Sequence, residues 1–386
     1  MTRNISVAID IGSEKIRVLV GEFEKGKEIP NIIGVGETPA LGMRRGYVVS
    51  IKDATNSLKK AISLAEESSG IKIKKAFLGI GGYTTRGENS IGTSIVSKAD
   101  SEVTNLDIEK ALDDALKNLN LANKKVLDSF PIAYKLDGKE ILGRIEGNIG
   151  NKLEIRANII TCSNQHFEDL IAVVTNAGVL VSDVVPVHLS SSEIALNKRQ
   201  KVVGCMLVDI GAETTKIAVF ENEVLISLYT FSIGANDITN DIALGLKTTL
   251  EEAENIKLGN IGENISKKKV EEIINARLED IFELIENHLK KIKRNELLPG
   301  GIIFSGGGAN TPNLIELSKN ILKLPTSIGK TEMFGNTKTK LKDNIYFSAL
   351  GLLFKGQEKV YDEGSIGSFW NDLKNTIKTQ IKQFLP

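Results

Sequence analysis

The sequence predicts an α/β protein of two or three domains in which one β-hairpin is used twice. Three observations carry this. Residues 7–20 read VAIDIGSEKIRVLV, and residues 206–219, 199 positions later, read MLVDIGAETTKIAV. A third strand-like run, Ile302–Phe304, ends in a row of glycines. The 386 residues, at roughly 150 per domain, also suggest more than one domain.

Composition narrows the class. Apolar residues make up 41% and charged residues 25%, as in an ordinary soluble globular protein. That excludes a mainly disordered chain, a collagen-like repeat and a multi-span membrane protein. The 49 basic residues balance 49 acidic ones, so no nucleic-acid footprint is indicated. Cys162 and Cys205 form no CxxC and point to a reducing, cytosolic compartment. His166, His188 and His288 share no metal-ligand spacing. The apolar stretch Ile5–Ile11 is short and broken by Asp10, so it is not a targeting segment. No run of 18 apolar residues occurs.

In chain order, the first element is the hairpin around Asp10. An apolar run, a polar turn with glycine and a second β-rich run punctuate it. Gly12 lets the backbone approach a ligand, and the following N–H groups with the Ser13 hydroxyl can cup phosphate oxygens. A helix is expected over Asp53–Ser69, with Ala54, Leu58, Ala61 and Ala65 at helical spacing. Strand-like residues 75–81 follow. Residues 83–165 then change character, with short strands and a helix over Asp107–Leu119, and read as an inserted α+β subdomain. A helix over His166–Ala177 should stop at Gly178.

The second hairpin repeats the first. Asp209, Ile210, Gly211 and Glu213 stand where Asp10, Ile11, Gly12 and Glu14 stood, and Lys216 replaces Arg17. Here Thr214 and Thr215 supply the hydroxyls. Two such turns face to face would grip a phosphate chain from both sides. Asp10 and Asp209 would hold a hydrated Mg²⁺ between them, since Mg²⁺ favours carboxylates plus retained waters. A long amphipathic helix is expected over Lys267–Arg294, with Val270, Ile274, Ile281, Ile285, Leu289 and Ile292 as its stripe. After Phe304, Gly306, Gly307 and Gly308 permit close contact with a planar ring or a phosphate, and Pro312 is expected to open a helix.

The tail is amphipathic. Phe369, Trp370, Leu373, Ile377, Ile381, Phe384 and Leu385 fall on one narrow helical stripe, with Lys374, Lys378 and Lys382 beside it. Ser368 is the expected N-cap and Asp372 lies in the first turns. This is the pattern of a helix lying in the headgroup plane of an anionic membrane. Seven partly buried apolar side chains give roughly 7–10 kcal/mol before ordering costs, and each lysine near the leaflet about 1 kcal/mol. One copy should bind reversibly, and many copies on a polymer strongly.

The ordered set VAIDIGSEK, LVDIGAETT and FSGGGA resembles the first phosphate, second phosphate and adenosine loops of the actin/DnaK-type ATPase superfamily. Within it the chain resembles the FtsA family of bacterial division actins, through residues 45–62, 127–138, 233–257 and 346–356 and the tail. The resemblance implies an actin-like two-lobed ATPase fold with duplicated β-rich cores. In family terms residues 1–82 are subdomain 1A, 83–165 the inserted 1C, and 166–202 a return to 1A. Residues 203–230 are 2A, 231–300 are 2B, 301–345 return to 2A and 346–360 to 1A. Residues 361–386 are a spacer and a membrane-targeting helix.

The resemblance also implies ATP and Mg²⁺ as ligands. Gly12, Ser13, Lys15, Gly211, Ala212, Thr214 and Thr215 would line the phosphates, and Gly306, Gly307 and Gly308 the adenosine. Glu254 and Lys257, at i and i+3, would meet ribose and base. Glu193, in the connecting helix 187–196, would position water. Gly211-Ala212-Glu213-Thr214 departs from the GGGT of relatives and puts the hydrolysis rate in question. Arg277 would contact the acidic C-terminal peptide of FtsZ. Subdomain 1C would meet other division proteins and neighbouring protomers, at the cytoplasmic face of the inner membrane. A pilus-assembly scaffold resembling PilM, or a small-molecule kinase of the superfamily, is the alternative.

Overall fold

The computed structural model describes residues 4–262, 265–331, 341 and 343–358. The membrane-binding stretch expected over 369–385 lies outside them. The first hairpin forms as β1 (Asn4–Ile11) and β2 (Lys15–Phe23), and β3 (Asn31–Pro39) adds to the edge of β2. A small ladder of β4 (Met43–Arg44) and β5 (Tyr47–Val48) turns at Arg45 and Gly46. Helix α1 (Ile51–Ser69) begins two residues earlier than expected, because the hydroxyl of Ser50 accepts the Asp53 N–H at 3.3 Å and so caps it. It ends at Gly70, which is left-handed at φ 68°. β6 (Lys75–Ile80) then pairs parallel with β1.

The insertion has its own sheet. β7 (Arg86–Ile95), α2 (Asn105–Lys117), β8 (Lys124–Leu136), β9 (Lys139–Ile141) and β10 (Lys152–Ser163) give the antiparallel order β7-β10-β8-β9. Asp107 caps α2 by accepting the Thr104 N–H at 2.9 Å and hydroxyl at 2.6 Å. Ile108, Ala111, Leu112 and Ala115 of α2 share a separate apolar core with Leu153, Ile155 and Ile159 of the sheet.

The chain returns through α3 (Asn164–Asn176), β11 (Leu180–Pro186), α4 (Val187–Ala195) and α5 (Lys198–Val203). The second hairpin is β12 (Cys205–Ile210) and β13 (Thr215–Glu221), followed by β14 (Val224–Phe231). Then come α6 (Ala235–Leu246), α7 (Leu250–Lys257), α8 (Lys267–Lys291), β15 (Ile302–Ser305), α9 (Leu314–Leu322), β16 (Thr326–Ile328) and α10 (Phe347–Glu358).

The two main sheets have one order, β3-β2-β1-β6-β11 and β14-β13-β12-β15-β16. The repeat holds at the level of register. Asp10 lies opposite Arg17 and beside Gly79, while Asp209 lies opposite Lys216 and beside Ser305. One face of each sheet meets the other lobe across α4 and α10, in a cluster holding Ala8 and Leu19, Leu207 and Ala218, with Leu350 and Leu353. Helices α1 and α3 cover the outer face of the first sheet, and α6–α9 that of the second.

α8 and α9 also differ from expectation. α8 stops at Lys291, because Lys293 turns left-handed at φ 59° and Arg294 pairs with Glu221 of β13 at 2.6 Å. Leu278 and Phe282 join its buried stripe, while Ile292 is only partly covered. Pro312 does not open α9. A 3₁₀ turn over Gly307–Asn310 intervenes, and Asn313 at φ 61° cannot belong to a right-handed helix, so α9 starts at Leu314.

Candidate functional site

Each lobe delivers one turn, and the turns are closed alike. The Gly12 N–H donates to the Lys15 carbonyl at 3.0 Å, and the Gly211 N–H to the Thr214 carbonyl at 2.8 Å. A Cβ on Gly12 would lie 2.9 Å from the Lys15 oxygen, so tightness of the turn requires glycine. The aspartates before these turns sense each other. Burial raises the Asp10 carboxyl above its usual range, Arg17 and Lys216 oppose the rise, and Asp209 adds to it. Asp209 in turn accepts Lys216 Nζ at 3.3 Å.

The second turn is held from behind. Ala235 and Asn236, at the start of α6, donate their N–H groups to the carbonyls of Gly211 and Ala212 at 2.9 and 2.7 Å. A small loop of the other lobe closes the front. The Gly46 N–H donates to Ser13 Oγ at 2.8 Å, and the Arg45 N–H to Glu213 Oε2. The carboxylate of the unusual Ala212-Glu213 pair is thus engaged by backbone across the cleft. Gly46 has φ 75°, and a Cβ there would lie 2.7 Å from the Gly82 Cα. This turn was not found by sequence reasoning, since only tertiary contact brings residues 45–46 to both loops.

The other expected residues divide. Thr214 is buried beside Gly211 at the turn. The Thr215 hydroxyl donates to the Ile233 carbonyl at 2.9 Å inside the second lobe. Lys15 flanks the first turn, half-buried. Gly306 and Gly308 are glycines for packing, because a Cβ would lie 2.2 Å from Asp209 Oδ1 and 2.3 Å from Ile210 Cγ2 respectively. Gly307 is the least confined of the three, the nearest neighbour of a Cβ there being Ile345 Cγ2 at 4.0 Å, and Ala309, Asn310, Thr311 and Ile315, which follow it in the chain, line a shallow hollow.

Glu254 and Lys257 pair at 2.6 Å, and Lys257 Nζ also reaches Thr239 Oγ1 at 2.8 Å and the Ala235 carbonyl at 3.2 Å. They therefore tie α7 to the turn of α6 that backs the second loop. Glu193 lies away from the two turns. It pairs with Lys201 at 2.9 Å and lines a broad groove of about 2460 Å³ shared with the insertion, rather than the aspartate cleft. Helical periodicity did not reveal which face of α4 points to the cleft. His188 of that helix points inward, bonded through Nε2 to Thr230 Oγ1 at 2.8 Å, and burial holds its pKa down at about 3. Arg277 grips Asp241 of α6 at 2.6 and 3.0 Å and Asp280 at 3.0 Å.

Among the described residues, no group of three or more His, Cys, Asp or Glu could hold a metal. Two carboxylates are the donor chemistry that suits an ion keeping most of its waters, as Mg²⁺ does, and one of them, Asp209, already holds a cation, the Lys216 ammonium at 3.3 Å. Among the described residues no helix is long and apolar enough to cross a membrane.

Comparison with known proteins places these features. A family model for the cell division protein FtsA matches residues 206–351, and one for the SHS2 domain inserted in FtsA matches residues 82–161. The chain is 30% identical over 378 residues to the cell division protein FtsA of Pseudomonas aeruginosa, covering 92% of this chain and 90% of that one. It is 30% identical over 369 residues to FtsA of Bacillus subtilis, covering 90% and 82%. Among solved structures, the PilM-PilN type IV pilus biogenesis complex aligns with a TM-score of 0.69 at 14% identity, over 91% of this chain and 98% of that one. MreB5 of Spiroplasma citri bound to ADP aligns at 0.52 and 15% identity, over 93% and 99%. At such identities the likeness is one of fold, here the actin-like ATPase fold.

Proposed function

Because the chain belongs to the FtsA family of cell division proteins, we propose that it binds ATP with Mg²⁺ between its lobes, assembles into filaments and tethers FtsZ filaments to the membrane. The observation that carries the reading is the pair of identically closed turns, each preceded by an aspartate, one from each lobe. The N–H groups of the turns and the Ser13 and Thr214 hydroxyls would bind phosphate oxygens. Asp10 and Asp209 would hold Mg²⁺, which when bound neutralises and orients the phosphates. Gly307 and the hollow beside it would take the adenosine. With Glu193 turned away, no carboxylate is assigned as a base, and the nucleotide serves as a structural switch.

That switch would govern assembly, because the Arg45–Gly46 turn spans both phosphate loops and senses how far apart the lobes sit. Assembly would in turn present many copies of the 369–385 helix to the inner face of the cytoplasmic membrane at the division site. Arg277 remains the proposed contact for the acidic FtsZ peptide, and the insertion the contact for other division proteins and neighbouring protomers. The pilus-scaffold reading is weaker, since the likeness to PilM is of fold alone while that to FtsA spans nine-tenths of both chains at 30% identity. The test is sedimentation with anionic vesicles, with and without ATP and FtsZ. Joint pelleting of protein and FtsZ that needs ATP supports the reading; pelleting of FtsZ unaffected by the protein contradicts it.

A further inference from the structure

The repeat places a base opposite each aspartate, but the two bases are used differently. Arg17 is committed to its own lobe, its Nε 3.0 Å from Glu37 Oε2 and its guanidinium 5.2 Å from the centre of the Tyr346 ring. The Tyr346 hydroxyl completes that set by donating to Glu37 at 3.1 Å. Lys216 turns the other way. Its ammonium lies 3.3 Å from Asp209 Oδ2, and the side chain is only 15% exposed.

Two glycines of different lobes make room for it. A Cβ on Gly81 would come within 3.3 Å of Lys216 Cε, and one on Gly211 within 3.4 Å of Nζ. Gly211 is the closing residue of the second turn, so the ammonium stands beside that turn. Asp10 also feels its charge, which places the ammonium within the field of both carboxylates. A compact ammonium on a flexible stem binds phosphate as a point charge and can swing between an aspartate and a phosphate oxygen.

We propose that Lys216 is the resident polyphosphate-binding cation of this cleft, taking an oxygen of a nucleoside di- or triphosphate so that nucleotide is retained even without a divalent ion. The assignment rests on the nucleotide reading of the same cleft. It makes Lys216 a specificity residue as well, since adenosine offers it nothing to bind.

The test is a titration of fluorescent ADP into the full chain, in Mg²⁺ and in EDTA, with unlabelled adenosine as competitor. The wild-type protein should bind in EDTA within about tenfold of its affinity in Mg²⁺, and Lys216→Gln should lose at least about tenfold in EDTA, as expected for one charge-assisted hydrogen bond. Adenosine affinity should be unchanged by the substitution. Wild-type binding that vanishes in EDTA, an unaltered variant, or an equal loss of adenosine affinity would each overturn the assignment while leaving the nucleotide site in place. Absence of binding to the wild-type protein in Mg²⁺ would remove the nucleotide reading, and this assignment with it.

Discussion

Asp209 organises the cleft at the residue scale. One oxygen holds Lys216, and the other lies where a Cβ on Gly306 would have to go, so three separate segments are fitted around a single carboxylate. Asp209→Ala is therefore expected to weaken MgATP binding at least tenfold in calorimetry, and unchanged affinity would take the residue out of the site. Asp10, Gly12, Asp209 and Gly211 were legible in the sequence because they repeat. Lys216 was visible only as a conservative replacement for Arg17; the signal that could have found it is the strand register, which sets it opposite Asp209. Gly46 and Thr215 were not legible, since what decides their roles is a neighbour far away in the chain or a carbonyl that only the folded lobe supplies.

At the scale of elements, α1 and α2 formed where their apolar stripes predicted helices, each starting two residues early, and the capping side chains of Ser50 and Asp107 explain those starts. α9 did not, because Pro312 looks like a helix opener until the left-handed Asn313 beside it is known. α4 carries His188, whose pKa burial lowers to about 3, and α8 carries His288, lowered in the same way to about 4. Both values are depressed, so the stability they reflect is present above the unfolded value of 6.5 and is lost as pH falls toward the folded values. Each histidine should cost about 1.4 kcal/mol per pH unit within that window. Thermal melting between pH 7 and pH 5 should show the decline, and His288→Gln should flatten it; an unchanged slope would exclude His288 as a source. The tail belongs to this scale too. Deleting residues 367–386 should abolish vesicle pelleting in ATP, and undiminished pelleting would exclude the anchor.

For the whole molecule, the repeat at 199 positions foretold a duplicated hairpin, and the two sheets that hold its copies share one strand order. It could not foretell how they join. α4 and α10 come from distant parts of the chain, and the core between the sheets exists only once both are in place; a Cβ at Gly351 of α10 would lie 1.8 Å from the Ser190 carbonyl of α4. The partner surface is a matter of the whole lobe. Arg277 braces α8 against α6, so Arg277→Glu should lower the melting temperature as well as weaken capture of an FtsZ tail peptide. Peptide affinity that stays at the wild-type value would retire Arg277 as a contact, whatever happens to stability.

The most direct measurement is a crystal structure of the full chain grown with Mg²⁺ and a non-hydrolysable ATP analogue. The phosphates should lie between the Gly12–Lys15 and Gly211–Thr214 turns, with Asp10 and Asp209 on the metal side. A nucleotide bound elsewhere, or two turns directed away from a common ligand, would contradict the account.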